Sequence, residues 1–333
     1  MMYRDGEGVE RDDAKAVEWL RKSADQGYAM GQSSLGKMYA DGRGVPQDDV
    51  EAVRWYRKAA KKGDGWGQSN LAWMYEKGRG VEQDDTQAMR WYLEASKDDQ
   101  PWAQFKVGNR YLNGIGVKQD YARAMKYFRK AAKQNYEFAQ CSLGWMYAAG
   151  LGVPLDPQEA AKWYRLAAEN GHADSQNRLG WAYHEGNGVE RNDAEALKWF
   201  RKAAAQNEPF AQNNIGLMYK EGRGVERDFA EAARWFRKAA DQKLPLAITN
   251  LGGMYLAGQG VDQDETQAVT WFQKAADQGD ERAKKNLVMV DELREMAQIQ
   301  TGIWAVLAVA VVVFGCLIAN RLTRDGSMFG ASA

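Results

Sequence analysis

Histidine and cysteine are nearly missing from this chain. Its 333 residues hold two of each: His172, His184, Cys141 and Cys316. Cys316 lies in an apolar run and Cys141 in a segment of helical pattern, so a disulfide between them is not expected and the fold must stand on packing alone. No HxxxH or CxxC occurs, and Cys141, His172 and His184 show no metal-ligand spacing, so neither a metal site nor a cofactor is expected. An excess of charge of either sign is missing too, with 45 Lys plus Arg against 45 Asp plus Glu. A phosphate-backbone binder needs surplus cations to displace counterions, so nucleic acid is not an expected partner. A secretory leader is not visible, because the first residues already follow the pattern described next.

What is abundant is glycine, 34 residues, and eight of these keep one beat. Gly8, Gly44, Gly80, Gly116, Gly152, Gly188, Gly224 and Gly260 stand 36 residues apart, each followed by valine and preceded two residues earlier by another glycine. A fixed period of this length signals a helical solenoid. In the unit 31–62, apolar or small residues Gly31, Leu35, Gly36, Met38 and Tyr39 line one face of a helix A over about Gly31 to Ala40. After the loop Asp41–Gln47, a helix B over about Asp49 to Lys62 points Ala52, Trp55, Tyr56, Ala59 and Ala60 inward.

Each recurring residue has a mechanical reason. The loop glycines supply positive φ. Asp48 and its counterparts stand where helix B needs an N-cap, with Asn192 as one variant. Alanine recurs without exception from Ala16 through Ala52 to Ala268, and lets helix backbones approach. The aromatic pairs that follow, such as Trp55-Tyr56, Trp163-Tyr164 and Trp199-Phe200, fill the space left. The loops are not nucleotide motifs: no strand is expected before them, the third glycine is absent, and they occur eight times. Loop arginines Arg43, Arg79 and Arg223 stand among acids and offer at most an anion site.

The residues Leu35-Gly36, Met38-Tyr39, Gly42, Gly44-Val45, Asp48, Ala52, Trp55-Tyr56 and Lys58-Ala59-Ala60 resemble the Sel-one-like repeat, a relative of the tetratricopeptide repeat. The resemblance covers about residues 2 to 290 in eight copies, the first incomplete because helix A opens only at Met2-Tyr3. It implies an all-α, right-handed α/α superhelical solenoid acting as an adaptor or scaffold for protein complexes. It brings no catalytic residues.

At the other end, Asp291 stands where tyrosine is expected and no glycine loop follows, so a helical stalk is expected over 291–301. Residues 302–319 are then apolar and uncharged. Eighteen residues at ~1.5 Å each reach about 27 Å, so a single C-terminal transmembrane helix is expected over 302–320, with a short polar tail over 321–333. Two topologies follow: a tail-anchored protein with cytosolic repeats if the chain is complete, or lumenal or periplasmic repeats if an N-terminal signal is missing. Gly315 and Ala319 offer a small-xxx-small pair for homo-oligomerisation through that helix.

Function then falls on positions that vary between repeats and face outward. One helix A position reads Lys37, Trp73, Asn109, Trp145, Trp181, Leu217. By analogy with tetratricopeptide arrays it lines the concave surface, where tryptophans would anchor a protein or peptide partner. Trp66, Trp102, Phe138 and Phe210, at a second variable position, are read as packing residues. The expectation is a membrane-anchored adaptor without catalysis. Two alternatives stand beside it. One is a penicillin-binding hydrolase like cysteine-rich members of the family, although the paired cysteines and an SxxK motif with its partners are not found. The other is a structural oligomer.

Overall fold

The computed structural model describes Gly8, residues 10–296 and 298–300, and Val309. They form two compact units, one up to Ala211 and one from Gln212. The first holds α1 (Asp13–Asp25), α2 (Ala29–Asp41), α3 (Asp49–Lys61), α4 (Gly65–Lys77), α5 (Asp85–Ala95), α6 (Pro101–Asn113), α7 (Tyr121–Ala132), α8 (Glu137–Ala149), α9 (Pro157–Glu169), α10 (Ala173–Glu185) and α11 (Asp193–Ala205). The division falls within α12 (Pro209–Glu221), and the second unit continues with α13 (Phe229–Asp241), α14 (Pro245–Ala257), α15 (Glu265–Ala276) and α16, residues 281–296. Helices A and B alternate, so the chain is an all-α helical-repeat solenoid. The incomplete helix A expected at Met2-Tyr3 lies outside the described residues.

The caps explain why the helices start and stop where they do. Asp48 accepts the Glu51 N–H at 2.9 Å, and Asn192 does the same for Glu195 at 3.0 Å. Helix A closes on a left-handed glycine, as at Gly42 with φ 65°. The second glycine of each loop answers to a further constraint. Gly188 has φ 76°, and a Cβ placed on it would lie 2.0 Å from the Pro157 carbonyl oxygen, in the first turn of the preceding repeat's helix B. Gly44 and Gly80 approach Asp13 and Asp49 in the same way, at 2.2 Å. The beat therefore marks where one repeat lies backbone to backbone on the last. The loop arginines reinforce that contact: Arg43 pairs with Asp13, and Arg79 with Asp49, at 2.6 Å.

Inside each repeat a glycine of helix A receives a ring of helix B. A Cβ on Gly108 would lie 2.6 Å from the Phe128 ring, and one on Gly180 would lie 2.6 Å from Phe200. The second ring of the pair is thus the deep one: Phe128, Phe200, Phe236 and Phe272 are buried, whereas Trp163, Trp235 and Trp271 are half-buried, and only Trp55 and Trp199 are buried alongside their partners among the described first rings. Lysines cover several of the outer rings, with Lys58 Nζ 3.8 Å from the Trp55 centroid and Lys202 Nζ 3.9 Å from that of Trp199. Buried glutamines tie neighbouring repeats. Gln140 donates to the Ala132 carbonyl and accepts from Asn170 at 3.0 Å, and Gln176 accepts from Gln206 at 2.9 Å.

The C-terminal expectation needs correction. No helix among the described residues is long and apolar enough to cross a membrane. The last of them, α16, packs Ala283 and Val290 into the second unit's core, then carries Asp291, Glu292, Arg294 and Glu295 within little more than one turn. The transmembrane helix, and the single-pass membrane localisation built on it, are therefore withdrawn. Apart from Val309, the apolar run 302–319 lies outside the described residues.

Candidate functional site

Residues seven apart on a helix share a face, two turns from one another. Helix A accordingly displays two rows of large side chains with a polar row between. The row identified in sequence is uneven. Lys37 is exposed and pairs with Asp41 at 3.0 Å. Trp73 is half-buried beneath the Arg79 guanidinium, 5.1 Å from the ring centre. Asn109 is half-buried, and its carbonyl accepts the Asn113 amide at 2.9 Å. Trp145 and Trp181 stand 39% and 40% exposed. Leu217 packs against the core of the second unit.

The other row lies seven residues earlier, and its exposure was missed. Met30, Trp66, Phe138 and Phe210 are 60%, 65%, 45% and 50% exposed. The sequence reading gave Trp66, Phe138 and Phe210 a packing role. Phe138 does meet the His172 ring at 4.9 Å, yet it keeps an open face. Trp102 is the one that packs, edge-on to Tyr92 at 5.5 Å. The available signal was the seven-residue offset, which puts both rows on one face. Between the rows, in the first unit, run Ser34, Asn70, Lys106, Ser142 and Arg178.

The rows converge on a cleft of about 500 Å³ within the first unit, lined by α9 and α10, Ala148 at the end of α8, and Phe210. Trp181 forms one wall, edge-on to His184 at 5.3 Å and to Phe200 at 6.4 Å. Ala148, Ala160, Ala161 and Ala182 supply an apolar lining, and Tyr164, Asn177, Arg178 and the two acids Asp174 and Glu185 supply polar groups. Arg178 donates Nε–H to Asp174 at 2.7 Å and lies 5.7 Å from the Tyr164 ring centre.

Beside this cleft the fold joins residues that linear spacing had separated. Cys141, His172 and Asp174 bring one ligand-type atom each within 4.8 Å of one another. Cys141 Sγ donates to Asp174 at 3.4 Å, and His172 Nδ1 caps α10 by accepting the Ser175 N–H at 3.2 Å. Burial pushes the Cys141 thiol up to about 11 and holds His172 below its ordinary value. A protonated thiol is a poor nucleophile and a poor metal ligand. The amides of a helix start and the Arg178 guanidinium further disfavour a cation there.

A different charged cluster sits two repeats earlier. Glu76 accepts from Lys106 Nζ at 3.0 Å and from the Tyr92 hydroxyl at 2.9 Å. Arg110, 4% exposed, lies 3.4 Å from Glu76 and 3.1 Å from Asp85. Burial alone would raise the Glu76 carboxyl, but Lys106, Tyr92 and Arg110 outweigh it and hold it at about 2. A carboxyl depressed in the folded state stabilises above its unfolded value and loses that contribution as pH falls through the folded value. The stability difference between wild type and Glu76→Gln, followed by urea unfolding, is therefore expected to be largest above pH 4.5 and to shrink towards pH 2. A difference independent of pH would remove the ionic role of Glu76.

The eightfold repeat has counterparts among known proteins. The Sel1 repeat family model matches residues 1–28, 29–64, 67–99, 103–136, 138–172, 173–208, 209–244 and 245–280. A Sel1 repeat protein from Oxalobacter formigenes is 34% identical, with a TM-score of 0.69, over 87% of this chain and 84% of its own. A protective antigen of uropathogenic Escherichia coli, which displays an SLR fold, is 35% identical with a TM-score of 0.57, over 87% of this chain and 70% of its own. No curated protein matches. Eight matched copies in one register, and solved relatives above 30% identity along most of the length, carry one conclusion: this chain belongs to the Sel1 repeat family.

Proposed function

We propose that the chain is a binding scaffold without catalysis, and that the solvent-exposed face of its A helices holds a protein or peptide partner. Sel1 repeat proteins generally mediate protein–protein interaction. The observation that carries the finer reading is the exposure of large aromatic side chains on one helix face: Trp66, Phe138, Trp145, Trp181 and Phe210. Rigid rings on a preformed scaffold lose little entropy on binding and make effective anchors. Within the row Lys37, Trp73, Asn109, Trp145, Trp181 and Leu217, the two exposed tryptophans are assigned the largest share. Trp73 and Leu217 are given a supporting role, because their rings or branches are already covered.

A photo-crosslinking amino acid in place of Trp66 or Trp145, in cells that make the protein naturally, is expected to capture a defined partner. The same group at Lys162 or Lys198, exposed on helix B, is expected to capture nothing specific. Equal capture from both faces would reject the assignment.

A further inference from the structure

The repeat supplies an internal template for the cleft. Two repeats separate the Glu76 cluster from the cleft, a shift of 72 positions in sequence. Under that shift Lys106 becomes Arg178 and Tyr92 becomes Tyr164, so the cation and the phenol that hold Glu76 are both retained. Glu76 becomes Ala148, Arg110 becomes Ala182 and Asp85 becomes Pro157, so every other charged member is replaced by a small apolar residue. All five counterparts line the cleft of about 500 Å³. At the earlier site a carboxylate fills this place, 3.0 Å from the lysine and 2.9 Å from the phenol. At the later site the carboxylate at this place is gone and its holders remain, while Asp174, where the earlier site has Trp102, takes the arginine's Nε–H from one side at 2.7 Å.

We propose that this cleft binds an acidic side chain of a partner peptide, whose carboxylate takes the place that Glu76 fills two repeats earlier. The proposal rests on the scaffold reading and names the chemistry of one subsite in it. Arg178 has the donors required. Its bond to Asp174 uses Nε–H, one of five on a guanidinium. An incoming carboxylate can be held by the others in a charge-assisted pair. Trp181 and Phe210 flank the position and suit apolar residues beside the acid. A glutamate or aspartate within an extended, otherwise apolar segment meets all these demands.

The test uses fluorescence anisotropy on the full chain with three labelled peptides. One is Ala-Leu-Glu-Phe-Ala, acetylated and amidated. The second carries Gln for Glu. The third carries Gln and a free C-terminal carboxylate. The Glu peptide is expected to bind about tenfold more tightly than the Gln peptide, the scale of one charge-assisted bond. Arg178→Gln and Ala148→Glu are each expected to erase that preference. Ala148→Glu installs the internal carboxylate whose geometry Glu76 already demonstrates, so it should fold and block its own site. Its melting curve checks this, and Arg178→Gln decides if it does not fold. Equal binding of the Glu and Gln peptides overturns the carboxylate subsite and leaves the scaffold reading standing. Tighter binding of the third peptide than of the first overturns the side-chain assignment. Binding of none of the three at millimolar concentration overturns the proposal, whereas the scaffold reading falls only on partner capture.

Discussion

Replacing Gly188 by alanine is expected to destabilise the repeat array by about 3 kcal/mol or more, read as a shift of the urea midpoint. Two costs combine. The backbone there has φ 76°, and a Cβ in that region costs about 1–2 kcal/mol by itself. The added atom would also lie 2.0 Å from the Pro157 carbonyl oxygen and 2.3 Å from its carbon. Those atoms belong to the backbone in the first turn of α9, which cannot retreat as the tip of a side chain can. Gly171 separates the two costs. Its φ is 92° and a Cβ on it would meet nothing within 4 Å. Gly171→Ala should therefore show the conformational cost alone, about 1–2 kcal/mol. If Gly188→Ala and Gly171→Ala were equally mild, the beat would be a matter of turn conformation only, and the backbone contact between repeats would carry no weight.

The second large effect concerns the ring-in-glycine lock. Phe128 is fully buried against Gly108. Phe128→Ala is expected to cost about 3–5 kcal/mol, the range for emptying a buried aromatic site. Gly108→Ala is expected to cost about 1–3 kcal/mol, because its methyl would intrude to 2.6 Å of the ring. Combined, the two should cost less than their sum by about 1 kcal/mol, since the new methyl occupies part of the vacated space. The chain contains a precedent in Ala72, which stands where other repeats carry this glycine and is fully buried in the same cluster as Tyr92. Strict additivity in a double-mutant cycle would show that the two positions do not share space.

Much of the fold was legible because the repeat made each inference eightfold. The aspartate before helix B, the paired loop glycines and the small helix A residue each follow from backbone geometry that period and residue type expose. Depth within the aromatic pairs was not legible. Trp163-Tyr164 reads as two equivalent apolar positions, and only the helix A glycine, Gly144, decides that the second ring goes in. The candidate site was legible in part, and for a geometric reason. Neighbours across a repeat boundary differ by about 30 positions rather than 36, as Lys106 with Glu76, Asn170 with Gln140 and Arg43 with Asp13 demonstrate. Aligning equal phases therefore compares residues that do not touch. That offset hid the approach of Cys141 to Asp174, 33 positions apart, and the loss at Ala148 of the carboxylate that Glu76 supplies two repeats earlier. The membrane expectation failed differently. It rested on an apolar run alone, and no described helix has the length and apolarity to realise it.

The central claim is that the solvent-exposed face of the A helices, and not the repeat framework at large, holds the partner. Its most direct measurement is titration calorimetry of the partner captured through Trp66, against wild type and against a variant with Trp66, Trp145 and Trp181 all changed to alanine. Trp66 is 65% exposed but Trp145 and Trp181 are only 39% and 40% exposed, so the melting temperature is expected to fall and the titration is run well below the variant's transition. The affinity is expected to fall at least about a hundredfold, the scale of losing two or more anchor residues. Unchanged affinity in a folded triple variant would contradict the account.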